Sequence, residues 1–337
     1  MSDDIRWGIA GPGRIATGVA LDLALVPGAR LVAVGSRSQE RAAAFAAQHA
    51  TGGDRARTHG SYRALLDDPD VDVVYVATPH PQHHAIALAA IAAGKHVLVE
   101  KAFTATLAGS REVVAAARAA GVFAMEAMWT RFHPAVVRVR ELLAEGAIGE
   151  VRSVQADLGI AAPADPTNRF FAPELGGGGL LDLGVYVVAL AHMVLGPPTE
   201  VIARGTLTAT GVDAEAALLL VHEGGATATL TCSILSPSVG RARIDGTAGS
   251  IELKPRFHHP HGFTLRRLGV EPQRIDLPPT GIGYSHELVE VTEAVRAGRT
   301  ESAVMPLAHT LEVMAVLEEA GRQLGVTPWA EDATVAV

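Results

Sequence analysis

The sequence predicts an α/β protein. A doubly wound parallel sheet forms an N-terminal domain of residues 1–125, and an α+β domain of residues 126–337 follows, built on a large, mostly antiparallel open sheet. Three observations carry this. The first 125 residues alternate short, fully apolar β-like runs with Ala-rich helical stretches, as in a parallel sheet covered on both faces. Beyond about residue 126 the strands follow one another closely with short turns, which indicates mostly antiparallel pairing. The chain has 337 residues, comfortable for two domains because single cores rarely grow past roughly 250–300 residues.

In order, residues 5–10 form an apolar strand, 15–25 a helix, 29–35 a second strand and 39–49 a second helix. The Val-rich run 71–77 is a strand, bounded by Asp67-Asp68-Pro69-Asp70 and Thr78-Pro79. Residues 84–93 are helical and stop at Gly94; 97–100 is a strand; 107–120 is a helix closed by Gly121; Val122 begins one more strand. Then come a helix at 132–145, a strand at 151–158 and a helix at 180–195 opened by the glycine run 176–179. Strands follow at 201–210, 215–221, 226–233, 241–245 and 250–253, and helices at 284–297 and 307–324 close the chain.

Hydrophobic residues make up 48% of the chain and charged residues 19%, so it can bury a large core. The net charge of −8 argues against a nucleic-acid or anionic-membrane surface, which needs clustered Lys and Arg. The single cysteine, Cys232, cannot close an internal disulfide and reads as a small buried hydrophobe in an apolar strand. Met1-Ser2-Asp3-Asp4 lacks the basic and apolar regions of a signal peptide, and no run of ~18 uninterrupted apolar residues is present. A soluble cytoplasmic protein without nucleic-acid or membrane partners is the expectation.

Gly11-Pro12-Gly13-Arg14-Ile15-Ala16 reads G-x-G-x-x-A directly after the first strand and opens the first helix. The first glycine permits the tight turn and the second admits a pyrophosphate. The small third residue packs helix on strand, and the helix N-terminus offers N–H groups to the phosphates. At the end of the second strand stand Ser36 and Arg37, with no carboxylate to take a ribose 2′-hydroxyl. Arg37 suits a 2′-phosphate, with a hydrogen bond from Ser36, so NADP is preferred and NAD remains open.

Lys101 ends a strand at the carboxyl edge of the sheet, where ligands of open α/β sheets bind. Position alone leaves two roles: donation to a substrate hydroxyl, or a surface lysine tied to Glu100. Asp182 and Tyr186 stand four residues apart, on one face of a helix. They are either a site, or a helix cap and a core tyrosine. His80, His83 and His84 fall in the loop after the third apolar strand, and His258, His259 and His261 in a late segment read as solvated. Neither group offers a persuasive fourth zinc ligand, so no metal is expected.

Together these residues resemble the glucose–fructose oxidoreductase / inositol dehydrogenase family over nearly the whole chain. The G-x-G-x-x-A turn, Ala77-Thr78-Pro79-His80-Pro81-Gln82-His83 and Gly94-Lys95-His96-Val97-Leu98-Val99-Glu100-Lys101 match it in order. Met125-Glu126-Ala127-Met128-Trp129-Thr130-Arg131-Phe132 and Gly177-Gly178-Gly179-Leu180-Leu181-Asp182-Leu183-Gly184-Val185-Tyr186 point to its dimeric dihydrodiol dehydrogenase and NADP-dependent D-xylose dehydrogenase group. The resemblance implies a Rossmann domain and a second domain whose open sheet makes a homodimer or homotetramer. It implies that Lys101 binds substrate and the cofactor ribose, that Tyr186 is the acid/base group, and that Asp182 is the carboxylate near the substrate. It also places Thr78, His80, His83, Glu100, Trp129 and Arg131 around the nicotinamide half of the cofactor. The family's proline after Glu-Lys is replaced by Ala102. A cis bond before a non-proline residue costs roughly 2.5–4 kcal/mol, so a trans bond is expected here.

The expected activity is hydride transfer between NADP and a sugar or cyclic-diol hydroxyl. An aldose of the D-xylose type oxidised at its anomeric carbon comes first, a trans-1,2-dihydrodiol second, and reduction of a keto sugar of the anhydrofructose type third. A non-catalytic dinucleotide sensor is the remaining alternative. Free tyrosine titrates near ~10, so Tyr186 as a base calls for a nearby ammonium, the role given to Lys101. Trp129, Phe170 and the polar stretch 165–169 are expected to line the substrate.

Overall fold

The structure, a computed structural model, describes residues 4–49, 55–332, 334, 335 and 337. Met1-Ser2-Asp3, on which the signal-peptide reading partly rests, lies outside the described residues.

The first unit comprises Met1–Trp129, Thr280–Thr310 and Ala330–Val337. It begins β1 (Ile5–Ala10), α1 (Arg14–Leu23), β2 (Ala29–Gly35), α2 (Gln39–Gln48), β3 (Arg57–His59), α3 (Tyr62–Leu66) and β4 (Val73–Val76). It continues α4 (His80–Ala92), β5 (His96–Val99), α5 (Leu107–Ala120) and β6 (Ala124–Glu126). Among the described residues these strands form one parallel sheet in the order β3-β2-β1-β4-β5-β6. The order reverses between β1 and β4, which opens a ligand crevice at their carboxyl ends. All four residues of β4 are buried, the pattern of a central parallel strand. The short β3 and α3 carry too little periodicity to be read from sequence.

Helix α4 begins at His80, four residues earlier than expected, because Pro81 fits the first turn of a helix without losing a bond. His80, His83 and His84 are therefore helical and not in a loop. The Lys101–Ala102 peptide bond is cis, against the expected trans. The carbonyls on both sides are held from α4: the His80 ring lies 3.1 Å from the Lys101 oxygen and the His83 ring 3.0 Å from the Ala102 oxygen. Glu126 also accepts the Phe103 N–H at 3.2 Å. Contacts some twenty residues away in sequence decide this bond, and local preference does not.

The second unit comprises Thr130–Pro279 and Leu311–Trp329. A 3-10 turn at Trp129–Phe132 precedes α6 (Pro134–Ala144) and β7 (Val151–Gly159). A π-helical turn, Leu180–Gly184, runs into α7 (Val185–Leu195). Then come β8 (Pro198–Leu207), β9 (Asp213–His222), β10 (Thr227–Ser233), β11 (Ala242–Gly246), β12 (Gly249–Leu253), β13 (Gly262–Arg267) and β14 (Val270–Asp276). Their sheet, among the described residues, runs β14-β13-β12-β11-β7-β10-β9-β8, antiparallel except where β10 pairs with β7. Along β10, Ala228, Leu230 and Cys232 are buried beneath α7 while Thr229 and Thr231 face outward, so one face of the sheet is covered and the other open. The helical run Pro173–Leu195 is apolar enough to cross a membrane by length and composition, although no uninterrupted apolar stretch marks it. Of its most apolar window 83% is buried inside the protein, so its apolarity builds the core.

Helices α8 (Ser285–Arg296) and α9 (Leu307–Leu324) complete the chain. The expected division at 125/126 is not a single cut, because residues 280–310 return to the first unit. The buried Asp22 carboxylate of α1 accepts the N–H groups of Ile282 (2.9 Å), Gly283 (2.9 Å) and Ser285 (3.1 Å) at the start of α8. A carboxylate there satisfies donors that a helix N-terminus leaves open.

Candidate active site

The first unit supplies a dinucleotide cradle. Gly11 sits at φ +95°, and a Cβ there would lie 2.9 Å from the Ala77 carbonyl oxygen, so only glycine fits. Gly13 is the N-cap of α1 and has nothing within 4 Å of where a Cβ would stand, which leaves room for a phosphate against the N–H groups at Arg14 and Ile15. Ala16 is fully buried, as the third position of the motif requires. A cavity of about 340 Å³ opens here, lined among others by Gly11, Gly13, Ser36, Arg37, Arg41 and Thr78. The buried Thr78 Oγ1 has no hydrogen-bond partner among the described residues. An open cradle beside an unanswered hydroxyl and two guanidinium groups fits a dinucleotide phosphate. Ser36 is buried and its hydroxyl accepts the Ser38 N–H at 3.2 Å, while Arg37 is exposed. Arg41, missed from the sequence, lies one helical turn beyond Arg37. Burial pushes the Tyr62 phenol up, and Arg37 and Arg41 pull it back.

Around Lys101 the geometry is one of support. Lys101 is half-buried, and its backbone N–H donates to Glu100 at 3.2 Å. The Tyr75 hydroxyl donates to the other Glu100 oxygen. Burial raises the Tyr75 phenol well above its ordinary range, reinforced by the Glu100 charge. His80 and His83, expected beside the cofactor, brace the backbone: His83 spans the carbonyls of Thr78 (2.8 Å) and Ala102 (3.0 Å). Burial lowers its pKa to about 4, so it is neutral and donates to one carbonyl at a time. Trp129 stacks on Tyr284, ring centroids 4.2 Å apart. Glu287, at the start of α8, is fully buried, and burial with the nearby Glu100 and Asp22 keeps it protonated well above the usual carboxyl range.

The second unit supplies a carboxylate and a phenol. Asp182 lies in the π turn and Tyr186 in the first turn of α7, both nearly buried. Asp182 lies inside the π turn, whose N-cap position is Gly179, and its Oδ1 accepts from the Arg169 guanidinium at 2.8 Å. That guanidinium also lies 4.3 Å from the centroid of the Phe170 ring. His258 is half-buried, not solvated: its ring centroid is 5.1 Å from that of Tyr186, and its carbonyl accepts from Thr130 at 2.6 Å. Nothing near His258 in sequence signals this contact, which arises from the loop between β12 and β13. Buried Arg131 donates to His192 Nδ1 at 3.4 Å, and His192 Nε2 donates to Glu312 at 2.6 Å. That pairing fixes the proton of a neutral His192 on Nε2. Cys232 is buried and its thiol is raised well above its ordinary value by burial, so it is no nucleophile.

A parallel sheet with a glycine turn at its switch point, followed by a sheet unit presenting Asp182 and Tyr186, defines a dinucleotide-dependent oxidoreductase. Residues 5–128 match the oxidoreductase family's NAD-binding Rossmann fold, and residues 136–252 match the GFO/IDH/MocA C-terminal domain. The chain belongs to the GFO/IDH/MocA family of oxidoreductases. It is 37% identical over 337 residues to trans-1,2-dihydrobenzene-1,2-diol dehydrogenase of Mus musculus, with 96% of this chain and 98% of the relative covered. It is similar in structure to aldose-aldose oxidoreductase of Caulobacter crescentus, solved with glycerol (TM-score 0.85, 27% identity, 95% and 97% covered). It is also similar to KijD10, a 3-ketoreductase of Actinomadura kijaniata solved with NADP and TDP-benzene (TM-score 0.83, 27% identity, 95% and 98% covered).

Proposed function

We propose that this chain is an NADP-dependent dehydrogenase that oxidises a ring CH–OH flanked by further hydroxyls, with an aldopyranose of the D-xylose type, oxidised at its anomeric carbon, as the first substrate class. The observation that carries it is the pairing of Asp182 and Tyr186 on one helical run, with Arg169 holding the carboxylate and His258 packed on the phenol. In this reading Tyr186 takes the proton of the reacting hydroxyl, and Lys101 keeps the role the family resemblance implies, donation to the substrate and the cofactor ribose. Asp182 accepts from a neighbouring hydroxyl and orients the ring. Phe170 and Trp129 offer flat apolar surface to it, and Arg131 is held buried for the nicotinamide half. When bound, the nicotinamide supplies the hydride acceptor. A trans-1,2-dihydrodiol is the second reading, favoured by the relatives that share 37% identity.

A panel of aldoses, trans-diols and keto sugars, incubated with NADP⁺ and separately with NAD⁺, tests this through nicotinamide absorbance. NADPH formation with an aldose supports the first reading; formation with a diol alone supports the second. Redox turnover with none of them would leave the dinucleotide sensor. Tyr186→Phe should cut kcat about 10²–10⁴-fold, the usual worth of a general acid/base, with cofactor affinity unchanged. Full turnover by that variant would remove Tyr186 from the chemistry.

A further inference from the structure

Asp213, the first residue of β9, is fully buried, a placement no local sequence pattern signals. Its Oδ2 accepts the N–H of Leu180, the first residue of the π turn, at 2.6 Å. Gly178 lies at φ +111°, and a Cβ there would stand 2.2 Å from Asp213 Oδ1, so the carboxylate occupies space that only glycine leaves. Cys232 of β10 packs beside the same turn, with Sγ 3.5 Å from a Cβ built at Gly179 and 3.3 Å from one at Gly184. Burial moves the Asp213 carboxyl up to about 7, while the N–H groups of Leu180 and Gly179 hold it down. A buried acid that is costly to ionise is thus kept where it reaches one helix end. That end carries Asp182 two residues later and Tyr186 four residues after that.

We propose that Asp213 is a positioning residue for the reaction: by bonding Leu180 across the glycine run it holds the π turn, and so fixes Asp182 relative to Tyr186. The π turn is rare and has less internal support than an α-helix, so an external anchor decides its geometry. Ordinary capping would stabilise the helix without touching turnover. A positioning role changes kcat in protein that is still folded. This inference rests on the reading of Tyr186 as the acid/base group.

The test uses full-length Asp213→Ala, Asp213→Asn and Tyr186→Phe, assayed with NADP⁺ and whichever substrate the panel identifies. Asp213→Ala should lose at least tenfold in kcat, with cofactor Kd within twofold of the parent and unchanged circular dichroism. Asp213→Asn, which keeps an acceptor for Leu180, should recover most of the loss. In the Tyr186→Phe background Asp213→Ala should add no further loss. Hydrogen exchange should speed up across 178–186 in Asp213→Ala and not elsewhere, a readout independent of activity. Gly178→Ala, which displaces the carboxylate without altering it, is the second probe if Asp213→Ala does not fold; it should show the same kcat loss. Folded Asp213→Ala with unchanged kcat, or unchanged exchange over 178–186, overturns the inference. If Tyr186→Phe is inactive while Asp213→Ala turns over normally, only this inference fails; if Tyr186→Phe is fully active, the parent reading fails with it.

Discussion

Arg37 and Arg41 face one cavity from the end of β2 and the first turn of α2, with Ser36 buried between the strand and the turn. In the proposed NADP reading this guanidinium pair holds the 2′-phosphate. Each charge-assisted hydrogen bond contributes about 1.5–3 kcal/mol, so losing one weakens binding roughly ten- to a hundredfold. Arg37→Gln should therefore raise the KM for NADP⁺ by that factor and leave the KM for NAD⁺ within twofold, and Arg37→Gln with Arg41→Gln should erase the preference. Parallel NADP⁺ and NAD⁺ titrations check it. An equal change for both cofactors would place Arg37 on the shared part of the dinucleotide. Arg37 was legible because the end of the second strand is a fixed position in this architecture. Arg41 was not, because its relation to Arg37 depends on where α2 begins, at the Ser38 cap that accepts the Arg41 N–H at 3.2 Å.

Helix α4 shows how one element steadies the backbone around Lys101. His83 is buried between two carbonyls and neutral, so the fold favours its unprotonated form. Its folded pKa of about 4 lies below the ordinary 6.5. The stability it contributes is complete above pH 6.5 and is lost as pH falls toward about 4, on the order of 3 kcal/mol at most. His83→Gln should be less stable than the parent at pH 7 but lose less stability between pH 6.5 and about 4. Urea unfolding at a series of pH values measures this, and parallel pH curves for the two proteins would reject it. The same element marks the limits of the sequence. Helices 107–120 and 307–324 match the sequence expectation to the residue; Gly121 ends the first, and the structure adds the Thr106 cap at its start. The start of α4 was missed because Pro81 reads as a breaker and here occupies the one turn that tolerates it. The hairpin β13–β14 was missed because β14 is almost wholly exposed and shows no apolar face. The candidate residues Lys101, Asp182 and Tyr186 stand in long motif strings, whereas His258 and Asp213 reach the run of Asp182 and Tyr186 through sheet topology, which no local pattern encodes.

At the scale of the molecule, the open face of the eight-stranded sheet is the largest feature that the proposed reaction does not use. Ile202 of β8 and Leu219 of β9 are paired neighbours on this face, each 36% exposed. Arg204, Arg241 and Arg243 surround them together with Asp157 and Glu252, so the face is apolar at one side and carries both signs of charge. A two-fold axis sets one patch against itself, and a face with both charges can pair each with its opposite. The family resemblance implies a subunit interface on this sheet, and we propose that two copies of this chain pair through it, with the exposed Ile202 and Leu219 in the contact. Burying a leucine contributes about 1.5–3 kcal/mol, and a two-fold axis buries each such leucine twice. Leu219→Asp replaces that gain with a desolvated charge, so the dimer Kd should rise by at least tenfold, with the circular dichroism of the monomer unchanged. Sedimentation velocity over a range of protein concentrations reads the effect directly. A parent protein that stays monomeric at high micromolar concentration, or a variant that assembles as well as the parent, would assign this face no part in assembly.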